Sequence, residues 1–259
     1  MHAADLLTSR TRLTPDREAL FDLATGRRFT YAQLNARANR LANFMREPLG
    51  VQAVDRVSML AHNSVAYLDM FYGLAKIGAI FTPLNWRLTA AELSYIVSDC
   101  MPSVMVVGPE FAGVWTEMQS MISVQHVISL DGAVIDGAVS YDAGMLAASA
   151  AEPVRPPLDD ESPYCLLYTS GTTGKPKGAV LPHRHILWNC INTVVSWGLS
   201  ENDVSPVLTP LFHAGGLFAF LTPLLYAGGR IILAKGFDAE QSLRAVSYTH
   251  LTLPTNSSV

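Results

Sequence analysis

The sequence predicts an α/β fold of mostly parallel sheets flanked by helices, on three observations. Strand-like and helix-like segments alternate along the chain from Arg56 to Ala234, the order that places helices on both faces of a parallel sheet. Charged residues make up 15% of the 259 residues and hydrophobic ones 49%, against about 25% charged in ordinary globular chains. Strands covered on both faces account for such a balance. Two four-residue stretches, Thr30-Tyr31-Ala32-Gln33 and Thr89-Ala90-Ala91-Glu92, pair a hydroxyl with an amide or carboxylate three residues on, as helix-opening capping boxes do.

From the N-terminus, Glu18 to Leu23 and Phe29 form the arms of a hairpin around Thr25-Gly26. The helix opened at Thr30 carries Leu34, Ala38, Leu41, Ala42 and Met45 on one face. A strand over Arg56 to Ala61 leads to Asn63-Ser64, read as the cap of a helix with a buried stripe of Val65, Leu68, Phe71, Tyr72 and Ala75. Gly78 stops that helix, since glycine accepts the left-handed conformation that ends one. Ala79 to Phe81, Val104 to Val107 and His126 to Leu130 are strands; helices begin at Thr89 and lie around Trp115.

Ala147 to Pro163 is richer in Ala, Pro and Asp and reads as an extended connector. The chain is therefore divided into a first α/β subdomain (1–150), a second with a phosphate-binding loop (151–245) and a terminal segment (246–259). In the second, Tyr164 to Thr169, Ala179 to Leu181, Val204 to Leu208 and Arg230 to Ala234 are strands, with helices starting near His183 and Gly215. A short helix opens at Phe237-Asp238, and Ser247 to Ser258 has no helical or strand periodicity.

A net charge of −4 gives no basis for a nucleic-acid partner or an acidic membrane surface. Cys100, Cys165 and Cys190 are too scattered for a metal site or a disulfide framework, and they point to a reducing, cytoplasmic setting. Met1 to Asp5 lacks the features of a secretory signal. The uncharged run from Phe212 to Gly229 is interrupted by Gly215-Gly216, Pro223 and Gly228-Gly229. Its apolar helix is then shorter than the ~20 residues a membrane span needs, so it is read as a buried core helix.

The chemistry concentrates in Tyr168-Thr169-Ser170-Gly171-Thr172-Thr173-Gly174-Lys175-Pro176-Lys177-Gly178. Glycines let the backbone approach a ligand and turn N–H groups toward it. Ser170, Thr172 and Thr173 add hydroxyl donors, while Lys175 and Lys177 add positive charge. A polyphosphate uses all three kinds of contact. The spacing is not that of the NTPase P-loop, because Pro176 follows Gly174-Lys175 where Ser or Thr must reach magnesium.

The run from Tyr168 to Arg184, YTSGTTGKPKGAVLPHR, resembles the signature of the adenylate-forming superfamily, which holds acyl-CoA synthetases, peptide-synthetase adenylation domains and beetle luciferases. Pro210 to Gly216, Phe29-Thr30-Tyr31 with Leu34, and Pro83 to Thr89 resemble further family motifs in the expected order. Pro182 stands where a small polar residue is expected. The resemblance covers residues 10 to 245, and implies the N-terminal part of that family's large domain.

It implies ATP, Mg²⁺ and coenzyme A, with a carboxylic acid, fatty or otherwise hydrophobic, as the small-molecule substrate. The acid would attack the α-phosphate to give an acyl-adenylate, and coenzyme A would then displace AMP. By the same resemblance Thr169 lies near the metal, and Ser170, Gly171, Thr172, Thr173, Gly174, Lys175 and Lys177 contact phosphates. His213, Ala214 and Gly215 lie beside the acyl and adenylate pocket. His183 and His185 are read as caps or surface residues, and Trp86 and Tyr72 as core.

No catalytic residue is assigned. The family's catalytic lysine, its acidic magnesium residue and its ribose aspartate fall beyond this chain, so the polypeptide alone is expected to be inactive. Val246 to Asn256 resembles the translation of a transposase adapter used in DNA library preparation, and is read as an artefact. A peptide-synthetase adenylation domain and a non-catalytic nucleotide-binding fragment are the alternatives.

Overall fold

The computed structural model describes residues 3–130, 132–169 and 175–240. Helix α1 (Leu6–Leu13) precedes a hairpin of strands β1 (Glu18–Asp22) and β2 (Arg28–Thr30). Then come α2 (Tyr31–Arg46), β3 (Arg56–Leu60), α3 (Val65–Ile77), β4 (Ile80–Pro83), α4 (Ala90–Cys100), β5 (Val104–Val107), α5 (Ala112–Met118) and β6 (His126–Ser129). Strand β7 (Val139–Ser140), α6 (Tyr141–Ala147), β8 (Pro163–Thr169), β9 (Lys177–Pro182), α7 (His183–Trp197) and β10 (Val204–Val207) follow. A π-helical segment, Gly215–Leu221, continues into α8 (Thr222–Ala227), and β11 (Arg230–Leu233) completes the second sheet.

One sheet has the order β7-β6-β5-β3-β4-β8-β9, parallel except for the antiparallel pair β8-β9. The other has the order β10-β11-β1-β2, with β1 antiparallel to β2 and parallel to β11. The sheets are not divided along the chain at residue 150. Strands β8 and β9 extend the first sheet, while β1 and β2 pair into the second.

Strand alternation sorts residues between layers. Val104 and Val106 enter the core that both sheets share with α2, α3, α7 and α8, whereas Met105 and Val107 face α4 and α5. Likewise Leu20, Ile231 and Leu233 point into the shared core, and Phe21 and Ile232 lie on the opposite face of the second sheet. Side chains of successive residues point to opposite faces in any strand; the first sheet is covered by helices on both faces, and the second on the face that enters the shared core.

Both capping boxes form. Thr30 and Gln33 exchange hydrogen bonds at the start of α2, and Thr89 and Glu92 do so at α4. Gly78 adopts φ 74° at the end of α3. Helix α3 departs from its expected single stripe, for every residue from Ala66 to Ile77 is buried. Helix α2 runs along it, Phe81, Tyr164 and Phe218 meet its aromatic rings, and Asp5 and Glu152 cover Lys76, so it has no solvent face. Asn63 and Ser64 do not cap it through their side chains. Asn63 instead binds backbone groups in the second half of the chain, donating to Thr209 O at 2.9 Å and Ala234 O at 3.2 Å and accepting from Leu211 N at 2.8 Å.

The connector runs from Ala148 to Leu158 with no helix or strand and ends in a turn at Asp159 to Ser162. Helix α2 holds it: Asn39 donates to Ala150 O, Asn43 to Ser149 O and Ala151 O, Arg40 to Ala148 O and Arg46 to Val154 O. Beside it, the buried Lys76 ammonium lies 2.9 Å from both Asp5 and Glu152, so one charge ties α1, α3 and the connector together. Burial pushes the Asp5 carboxyl up, but the Lys76 charge and hydrogen bonds from Lys76 and Thr8 outweigh it and hold it below its ordinary value.

His183 differs from the expectation of a cap or surface residue. It is 4% exposed, packs edge-on against Tyr164 at 4.7 Å, and makes no side-chain cap. Burial, aided by the Arg155 charge, lowers its pKa to about 4. The three cysteines are free and buried. No helix among the described residues is long and apolar enough to cross a membrane. The helix opening at Phe237-Asp238 is described only as far as residue 240, and the segment assigned to adapter lies outside the described residues.

A depressed histidine has a signed consequence. Between the ordinary value of 6.5 and the folded value of about 4, the unfolded chain binds a proton that the native state refuses, so stability falls as pH drops through that window. The contribution of His183 to thermal stability is expected to be level above pH 6.5 and to decline toward pH 4. The His183→Gln variant should show a shallower decline over that window, and an unchanged slope would remove His183 from the account.

Candidate functional site

The antiparallel pair β8-β9 sets Tyr168 opposite Gly178 and Thr169 opposite Lys177. The loop they flank includes Ser170, Gly171, Thr172, Thr173 and Gly174, which lie outside the described residues. Its two roots are described. Thr169 and Lys175 both line a cavity of about 610 Å³, together with Tyr168, Pro176, Phe212 and His213. The opposite wall is β4, the turn after it and α4, through Pro83, Leu84, Asn85, Leu88, Ala91, Glu92, Tyr95 and Ile96.

The residues singled out from sequence are thus brought together only in part. Thr169, Lys175 and His213 share one cavity. Ala214 and Gly215 follow His213 directly and are exposed outside that lining, and Lys177 is exposed on β9. Sequence reasoning did not single out the α4 wall. Glu92 was visible there only as a capping residue, and Tyr95 and Ile96 carried no motif.

His213 is held by its own turn. Its Nδ1 accepts a hydrogen bond from the Gly215 N–H at 3.1 Å, so a neutral ring carries its proton on Nε2. The backbone N–H groups of Gly216 and Leu217 donate to His213 O, and His213 N donates to Pro210 O. Gly216 is required for this path, since a Cβ there would fall 2.2 Å from Pro210 O. The turn opens the π-helical segment, a wide helical form that recurs at functional sites.

Trp86 sits beside the cavity in an aromatic group. Its ring meets Phe212 edge-on at 5.9 Å and His62 at 4.7 Å, and Arg87 lies 4.8 Å above it. The core assignment of Trp86 is therefore half met, for the ring is partly buried, whereas Tyr72 is 5% exposed. Burial lowers His62, with Lys235 adding to the effect and Glu110 opposing it. Burial raises Tyr168, helped by its hydrogen bond to Asp99. Thr89 hydrogen bonds lower Glu92, so a carboxylate faces the cavity.

A second cavity of about 290 Å³ lies at the C-terminal ends of β3 and β5. Its charged lining is mixed in sign and paired in part: Lys235 binds Glu110 and Arg37 binds Asp69.

The sequence and the fold match known proteins along most of the chain. The profile of the AMP-binding enzyme family covers residues 7–255. The chain belongs to that family. A feruloyl-CoA synthase of an Amycolatopsis species is 36% identical over 94% of this chain and 46% of its own length. An indoleacetate–CoA ligase of Aromatoleum aromaticum is 36% identical over 88% of the chain and 44% of its length. A long-chain-fatty-acid–CoA ligase of Mycobacterium tuberculosis is 35% identical over 82% of the chain and 41% of its length. The chain spans about half the length of these relatives.

Solved structures agree. An anthranilate CoA ligase in complex with anthranoyl-AMP superposes with a TM-score of 0.89 at 27% identity, covering 96% of this chain and 48% of the other. An ATP-bound enzyme, MatB from Rhodopseudomonas palustris, gives 0.81 at 28% identity, with the same 96% and 48% coverage. These are N-terminal portions of adenylate-forming enzymes, as the resemblance of the loop and its flanking motifs implied.

The turn at His213 yields a direct test. Gly216→Ala forces the turn away from Pro210 O, and overpacking of this kind costs about 1–3 kcal/mol. Urea unfolding is expected to show that loss, with a smaller one for Gly215→Ala, whose Cβ meets nothing nearer than 3.3 Å. Equal losses at the two positions would contradict the geometry.

Proposed function

We propose that this chain is the triphosphate- and acid-binding portion of an ATP-dependent carboxylate–CoA ligase acting on a hydrophobic acid. The observation that carries the reading is the shared cavity: Thr169 and Lys175, at the two roots of the hydroxyl- and glycine-rich loop, open onto the same space as His213. A phosphate chain held by Ser170 to Gly174 and Lys177 would emerge where an acid can reach its α-phosphate. Oriented donors at pyrophosphate stabilise the charge that builds as the acid attacks, and alignment of the two reactants lowers the barrier further.

The acid side is apolar. Leu84, Leu88, Ala91, Ile96 and Phe212 surround the cavity, with Tyr95 adding an aromatic wall. This lining supports a fatty or aryl acid better than a small charged one, since burying a second charge here would find few partners. His213, with Nδ1 engaged by its turn, presents Nε2 as the available donor, and Ala214 and Gly215 keep the adjoining surface small.

Thr169 is the described residue that could serve magnesium, as one exposed hydroxyl at the cavity edge. That fits an ion which takes few protein ligands and otherwise binds phosphate oxygens and water. Among the described residues no cluster of three His, Cys, Asp or Glu offers an all-protein cage. Mg²⁺ would supply charge neutralisation between phosphates. Coenzyme A is the acceptor implied by the relatives, and the three buried free thiols suit a reducing cytoplasm.

The test uses the full-length protein. Lys177→Ala and Thr173→Val are each expected to lower ATP–pyrophosphate exchange by about tenfold or more, the scale of one lost charge-assisted contact. Melting temperature should change little, because Lys177 is exposed. Unchanged exchange in both variants would overturn the phosphate-loop reading.

A further inference from the structure

We infer that helix α4 positions the two roots of the phosphate-binding loop, with Asp99 acting through Tyr168 as the latch that fixes the first. The inference rests on the reading of residues 169–177 as that loop. Tyr168 Oη donates to Asp99 Oδ2 at 2.5 Å, across 69 residues of chain. Tyr168 immediately precedes Thr169, so a fixed Tyr168 ring holds Thr169 in place at the cavity edge.

Three features make this contact a latch rather than a chance surface bond. The ring reaches Asp99 by lying across its antiparallel neighbour Gly178, where a Cβ would come within 3.2 Å of Tyr168 Cζ and 2.8 Å of Leu166 Cδ1. The helix is itself anchored, through a capping box at Thr89 and Glu92 and through buried Leu93, Ile96 and Val97. Its exposed face meets the far root too: the Lys175 ammonium lies 5.9 Å from the centre of the Tyr95 ring, within cation–π range.

Tyr95 and Asp99 are four residues apart and so share a helix face. One rigid face therefore touches both ends of the loop, at Tyr168 before it and at Lys175 after it. Glycine-rich loops lose much conformational entropy when they order around a ligand. Anchoring the roots beforehand lowers that cost, and binding tightens accordingly. Because Ala91, Glu92, Tyr95 and Ile96 line the acid cavity, the same helix relates the phosphates to the acid.

The experiment compares Asp99→Ala, Tyr168→Phe, their double variant and Asp99→Asn in the full-length protein, by ATP–pyrophosphate exchange. Both single variants are expected to raise KM for ATP by about tenfold while kcat changes by less than about threefold. The double variant should match the singles, since one contact is lost in all three. Asp99→Asn, whose Oδ1 still accepts, should recover most of the affinity. Asp99 is exposed and Tyr168→Phe keeps the ring, so folding is preserved. An unchanged KM in the singles, additive losses in the double or no rescue by Asn overturns the latch. Lys177→Ala run alongside separates the two readings: impaired exchange there with normal Asp99→Ala sinks the latch alone, and normal exchange in both sinks the loop assignment.

Discussion

The candidate site depends on a join between two sheets, and the Asn63 side chain makes that join. The residue stands just past the C-terminal end of β3 and is 4% exposed. Its amide donates to two carbonyls and accepts from one N–H, on Thr209, Ala234 and Leu211. Those partners flank β10 and β11 of the second sheet and begin the turn that carries His213. A side-chain amide is suited to the task because it offers donors and an acceptor at once. Without it, three backbone groups at the seam would need other partners, and buried polar groups left alone are costly.

Other buried polar groups repeat the device. Tyr31 Oη, on α2, bonds to Gly229 O at 2.6 Å and Leu225 O at 3.2 Å, tying the first helix pair to the end of α8. Lys76 does the same for α1 and the connector. Apolar burial brings these layers together without direction, and the hydrogen-bonded groups select one relative placement. The cavity is a consequence, since its walls come from β8 on one sheet, α4 beneath it and the His213 turn beyond the seam.

Local chemistry was legible in the sequence. Both capping boxes, the Gly78 stop, the hairpin at Thr25-Gly26 and strand β5 all follow from residues within a few positions of each other. The glycine, hydroxyl and lysine density between β8 and β9 marked the loop for the same reason. Contacts between distant segments were not legible. Asn63 looked like a cap because its true partners lie 146, 148 and 171 residues away. His183 looked exposed because nothing nearby shows that Tyr164 covers it. The stripe expected on α3 widened to the whole helix because distant segments cover its other sides, with Tyr164 and Phe218 on Phe71 and Asp5 and Glu152 at Lys76. Asp99 and Tyr95 gave no signal, for their contacts with Tyr168 and Lys175 join segments about 70 to 80 residues apart in the chain. Helices α1 and α6 were missed as well, each being a short element of seven or eight residues.

The most direct test of the seam is the unfolding free energy of Asn63→Ala, set against Asn63→Asp. Loss of the side chain should cost about 2–4 kcal/mol, because it strands buried backbone groups as well as removing bonds. Aspartate should cost at least as much, since a carboxylate keeps the acceptor for Leu211 but turns oxygen toward the carbonyls of Thr209 and Ala234. A loss below about 1 kcal/mol in both variants would show that the sheets find their placement without Asn63, and would contradict the account.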